Sequence, residues 1–186
     1  MSKVMKAAAV ISFTAAIITA GLFCRLGKDI YLTLAITFGT VAYHLGMRLL
    51  VGLLYNIGMR NRADFTKKWY QLHAWENKLY QFLNVRAWKD KMPTYDPETF
   101  SIKKHTWNEI AQTMCQSELV HETNMILSFL PLLAVKWFGS FWVFFITSVC
   151  SAIFDLLFVI MQRYNRARIV KMALREKRKT LGEISQ

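Results

Sequence analysis

The residues of this chain best suited to chemistry stand at the borders of its apolar blocks. Glu118-x-x-His121 leads into one block. Three residues apart on a helix, the two side chains share a face. A carboxylate beside an imidazole fixes its tautomer, and a fixed imidazole can serve as a general base. His121 is therefore the expected base and Glu118 its orienting partner, with Glu122 sharing the site or facing water. Gln162-Arg163-Tyr164-Asn165-Arg166-Ala167-Arg168 follows another block. Membrane anchoring accounts for its arginines but not for Gln162, Tyr164 and Asn165. Arginine binds phosphate in a bidentate fashion, so Arg163 and Arg166 are expected to hold phosphates of a lipid headgroup or of coenzyme A. Trp88-Lys89 precedes a proline turn at Pro93, where tryptophan and lysine also suit a membrane interface. Inside the blocks lie three costly polar residues, His44, Arg48 and Asp155. Arg48 and Asp155 are expected to pair, which lowers the cost of burying either.

The apolar blocks themselves must position these groups. Of the 186 residues, 54% are hydrophobic and 19% charged, more apolar than an ordinary soluble domain. About 20 apolar residues cross the hydrocarbon core as a helix. Four spans are expected, at about 7–24, 30–54, 120–136 and 138–161, all within one membrane domain of 1–186. The expected class is thus all-α, a polytopic membrane protein. The first block follows Lys3 and Lys6 as a signal peptide would, but its run is long and a second span follows closely. The third span is short alone, so its helix is expected to start near Asn108 and to kink or break at Pro131. Segment 58–118 lies between the second and third spans. Within it, Phe65, Trp69, Leu72, Trp75, Leu79 and Phe82 recur at helical steps, predicting an amphipathic helix over 63–85. Aromatics on one side and lysines on the other suit a membrane surface.

Charge sets the orientation. The sequence carries a net +12, and ten of its 24 Lys and Arg fall between Tyr55 and Thr123, with eight after Met161. The two short loops hold only Arg25, Lys28 and Lys136. Cations accumulate in cytoplasmic loops, so both termini and the central segment are expected in the cytoplasm. That distribution argues for a membrane lipid partner and against nucleic acid. The basic tail, 162–186, continues the fourth helix outward. Glu118, His121, Arg163, Asn165, Arg166 and the Trp88 loop should then meet at one membrane level.

Other chemistries find little support. A di-iron bundle needs two Glu-x-x-His pairs and two further glutamates, and this chain has one such pair beside the reversed His73-x-x-Glu76. No bound metal or cofactor is expected. Cys24, Cys115 and Cys150 are far apart and suit apolar packing. Catalytic motifs of soluble hydrolases and nucleotide-binding enzymes are missing from the sequence.

From Trp75 to Arg168 the sequence resembles the glycosyl-4,4′-diaponeurosporenoate acyltransferase family of bacterial membrane proteins. The resemblance rests on Glu76 and Tyr80, then Val85-x-x-Trp88-Lys89-x-x-Met92-Pro93, then Glu118-x-x-His121, then Gln162-Arg163-Tyr164-Asn165-Arg166-x-Arg168. The last run is the most specific. The chain departs from the family at Ala167, around Thr113, Gln116 and Glu122, and at Asp155 and Leu157. The resemblance implies transfer of a fatty acyl group to a hydroxyl of a glycosylated or lipid-like acceptor, as in staphyloxanthin-type carotenoid synthesis, in a bacterial cell membrane. On that reading, acyl-CoA or another acyl thioester is the co-substrate and His121 the base. Glu118 orients it, and Asn165 joins Arg163 and Arg166 at the oxyanion. Gln162, Tyr164, Trp88, Lys89 and Glu76 hold the substrate or donor. Two other readings remain open: a non-catalytic assembly or lipid-binding protein, and a four-helix membrane transferase using glutathione or a methyl donor.

Overall fold

In the computed structural model the described residues, 2–184, are helical and contain no strand, with side chains described from residue 3 to residue 178. The last two residues of the expected basic tail lie outside them. Seven α-helices follow in order: α1 Ser2–Leu26, α2 Asp29–Met59, α3 Ala74–Phe82, α4 Val85–Trp88, α5 Trp107–Leu127, α6 Val135–Phe138 and α7 Phe141–Ile184. Four helical stretches are long and apolar enough to cross a membrane: Lys3–Leu26, Asp29–Met59, Trp107–Phe138 and Phe141–Arg178. The first three contain the expected spans 7–24, 30–54 and 120–136; the fourth starts at Phe141, three residues into the expected 138–161.

The breaks between helices have local causes. Gly27 takes a positive φ of 62° and its N–H bonds the Phe23 carbonyl, ending α1 in the left-handed turn that glycine tolerates best. Pro131 sits at the start of a 3-10 turn, Leu130–Ala134, and α5 stops before it at Leu127. The missing proline N–H and its ring both oppose continuation of the helix. Gly139 and Ser140, both at positive φ, then turn the chain into α7.

The structure corrects one expectation. The amphipathic helix over 63–85 is not continuous. Asp64 accepts from the backbone and hydroxyl of Thr66, making a turn. A short 3-10 turn, Lys68–Tyr70, follows, and α3 starts only at Ala74. The carbonyls of Trp69, Tyr70 and Gln71 accept from Arg163 and Arg166 instead of feeding a helix. Trp69, Trp75 and Phe82 remain largely exposed, as a membrane-surface face would be.

The chain divides into two compact units. The first comprises Met1–Leu53 and Thr123–Phe154, the second Leu54–Glu122 and Asp155–Gln186. In the second, Ala63, Tyr70 and Cys115 form an apolar core, with Met59, Phe65 and Leu119 packed against it. The carbonyl of Gln116's side chain accepts from the Asn61 N–H at 2.7 Å, pinning the turn that leaves α2.

Candidate active site

Within the second unit, α5 presents Glu118 and His121 to α7. The two do not share a partner. Glu118 is completely buried and gives one carboxylate oxygen to each of two arginines. Arg163 Nη1 reaches Oε1 at 2.6 Å, and Arg166 Nη1 bonds Oε2. Arg163 also donates from Nε to Glu76 Oε1 at 2.9 Å. Its Nη2 also pairs with Glu76 Oε1 at 2.8 Å, and it donates to the carbonyls of Trp69 and Gln71, each at 3.1 Å. Arg166 Nη2 donates to the Tyr70 carbonyl at 2.7 Å, and its guanidinium lies over the Tyr70 ring. Glu76 is itself buried, and its Oε2 accepts the His73 N–H at 3.0 Å, capping α3.

Two carboxylates thus face two guanidiniums, a balanced set. Buried charges persist only when paired and hydrogen-bonded in this way. Both arginines spend their donors on protein groups, whereas the sequence pattern assigned them to phosphate or an oxyanion. Glu118, expected beside His121, is likewise held by α7. The physical reason is burial: a buried carboxylate gains more from two guanidinium forks than from a neutral imidazole.

His121 finds a different carboxylate. Its Nδ1 lies 2.9 Å from Asp155 Oδ1 on α7. Asp155 is fully buried, while the His121 side chain keeps about 20% of its surface exposed. Phe158, one turn beyond Asp155, stacks on the imidazole with ring centroids 4.5 Å apart and planes within 7°. An ionised carboxylate can only accept, so with Asp155 ionised and the imidazole neutral this contact puts the proton on Nδ1 and the lone pair on Nε2. Asp155 therefore takes the orienting place that the spacing gave to Glu118. A signal for it existed: His121 stands at the entrance to the expected third span, and Asp155 about two turns inside the end of the last one. Phe158 carried no such signal.

The other candidate residues surround these two groups. Gln162 donates to Ser117 Oγ at 3.2 Å, tying α7 to α5. Tyr164 meets Tyr80 edge to face at 5.7 Å. Burial pushes the Tyr80 phenol above its ordinary range, and the neighbouring Glu76 charge adds to this, so it stays neutral. Trp88 turns back on its own loop, donating Nε1 to the Leu83 carbonyl, and Lys89 pairs with Asp90. Asn165 is half-buried and lies ten residues beyond Asp155. That is roughly 15 Å along the helix, too far to share one reacting atom with His121.

Glu122 accepts from Trp69 Nε1 at 3.2 Å. His44 and Arg48 belong to the first unit. Arg48 donates to the Ser151 hydroxyl at 2.8 Å and its carbonyl at 3.2 Å, and Ser151 Oγ lies 3.0 Å from His44 Nδ1. Ser128 completes this hydroxyl chain, 2.9 Å from Ser151.

Residues 66–175 match the family model described as glycosyl-4,4'-diaponeurosporenoate acyltransferase. The chain belongs to this family. The match includes the His121–Asp155 dyad, the Glu76–Arg163–Glu118–Arg166 cluster and Trp88, and it leaves out His44 and Arg48. No characterised relative and no solved structure matches the chain.

Proposed function

We propose that the protein is a membrane acyltransferase with His121 as its general base. It moves a fatty acyl group from a thioester onto a hydroxyl of a glycosylated or similarly lipid-like acceptor, at the cytoplasmic leaflet of a bacterial membrane, within carotenoid synthesis. Membership of the acyltransferase family supports the reaction class. The observation that carries the residue assignment is the His121–Asp155 contact, which engages Nδ1 of a partly exposed imidazole.

The step follows from that geometry. His121 Nε2 takes the proton of the acceptor hydroxyl as its oxygen attacks the thioester carbonyl. Asp155 holds the ring and stabilises the imidazolium that forms. The tetrahedral intermediate collapses, the carbon–sulfur bond breaks, and the imidazolium returns its proton to the departing thiolate. An ester and a free thiol result. The Phe158 face and the apolar span around it keep water from competing with the acceptor. The arginine cluster positions: it fixes α3 and the 69–71 turn onto α5 and α7, and so sets the walls of the site.

Lipid mass spectrometry of cells with and without the gene tests the reading. A product heavier than its precursor by one acyl chain, absent when His121 is replaced by Ala, is the expected result. Unchanged lipid profiles in both strains would favour the non-catalytic assembly reading.

A further inference from the structure

A cleft of about 420 Å³ opens in the second unit beside the arginine cluster, lined by Asn77, Tyr80, Gln81, Asn84, Arg86 and Tyr164. Its size falls within the range of small-molecule sites. Three of these side chains are neutral amides, each offering both donors and an acceptor. Two are tyrosines set edge to face, which present apolar ring surface. Arg86 supplies the one cation, and no carboxylate lines the cleft.

We propose that this cleft binds the 4′-phosphopantetheine arm of the acyl donor. The arm carries two secondary amides, and each needs one donor and one acceptor, which the Asn77, Gln81 and Asn84 side chains provide. Its dimethyl carbon is apolar and suits the tyrosine faces. Its phosphate is an anion and suits Arg86. Reach separates this ligand from a sugar headgroup. Tyr164 lies six residues past Phe158 on α7, roughly 9 Å along the axis and on another face of the helix. A single sugar ring held in the cleft does not extend to His121. The arm has a backbone as long as about four extended residues, roughly 14 Å, and it bends freely. It places its sulfur at the dyad while its amides stay in the cleft.

The thioester end of this assignment rests on the acyl-transfer reading above; the cleft itself can be tested without turnover. The full chain in phospholipid nanodiscs is titrated with 4′-phosphopantetheine and followed by saturation-transfer NMR. Saturable binding is expected. The double variant Asn77→Ala, Gln81→Ala should bind about tenfold more weakly, as loss of hydrogen bonds of ordinary strength predicts. Both residues are exposed on α3 and alanine keeps the helix, so folding is preserved. No saturable binding, or equal binding by the double variant, overturns the proposal. In turnover, the variant should show KM for the donor raised about tenfold with kcat and acceptor KM unchanged. A rise in acceptor KM instead would give the cleft to the acceptor headgroup and overturn it. Acyl-CoA and acyl carrier protein, run as separate donors, identify which source presents the arm. Binding of the arm without any transfer would leave this assignment standing and remove the acyl-transfer reading. Transfer without binding would do the reverse.

Discussion

Glu118 and His121 stand one helical turn apart on α5 and live in opposite circumstances. Glu118 is sealed, with both oxygens held by guanidiniums that are themselves held by Glu76 and three backbone carbonyls. His121 is half-committed, with one nitrogen against Asp155, one face against Phe158 and a fifth of its side chain open. A paired, hydrogen-bonded ionic cluster of this kind is rigid and chemically quiet. A histidine with one free nitrogen can accept a proton at little cost. One helix therefore carries a clamp residue and a partly exposed histidine side by side, and the clamp holds that helix against α7.

That contrast is open to direct attack. The largest effect should come from His121→Ala, which is expected to lower acyl transfer by about 10²–10⁴-fold while leaving thermal unfolding near that of the parent. The measurement is product formation per folded protein. Glu118→Ala should act in the opposite sense. It strands two buried guanidiniums and should cost about 3–5 kcal/mol of stability, read by unfolding in detergent. A Glu118→Ala protein as stable as its parent would dissolve the distinction between clamp and base. Asp155→Asn keeps the volume but no longer sets the imidazole tautomer. A smaller loss, on the order of 10²-fold in rate, is expected, with the pH profile of transfer displaced. The smallest effect belongs to the first unit. Ser128→Ala removes the hydroxyl between Ser151 and the Asn124 carbonyl, and should cost about 1 kcal/mol of stability without changing transfer.

Much of the architecture was legible in the residues. The four apolar blocks, the break at Pro131 and the early start of the third helix at Trp107 all follow from length, composition and proline chemistry. That polar residues at 118–121 and 162–168 border the apolar stretches of α5 and α7 was legible too. Their pairing was not. Spacing shows that Glu118 and His121 share a face of their own helix, but not which residues of α7 turn toward that face. A small rotation of α7 decides whether a carboxylate on α5 meets Asp155, Gln162 or Arg163. The amphipathic pattern over 63–85 failed for a related reason. Its periodicity is real, and Trp69, Trp75 and Phe82 are exposed while Phe65 packs on the core, but Arg163 and Arg166 draw three consecutive carbonyls out of helical use. Those arginines lie over ninety residues away in sequence, beyond the reach of any local pattern.

The length of α7 carries a consequence of its own. Forty-four residues make a rod of about 66 Å, twice the roughly 30 Å thickness of a bilayer's hydrocarbon layer. Asp155 and the two clamp arginines ride on that rod with no glycine or proline between them, so their separation is fixed like marks on a ruler. A thinner or thicker bilayer cannot be met by stretching that interval; the rod must tilt or slide as a whole. The depth at which His121 meets its carboxylate then shifts only with the rod as a whole.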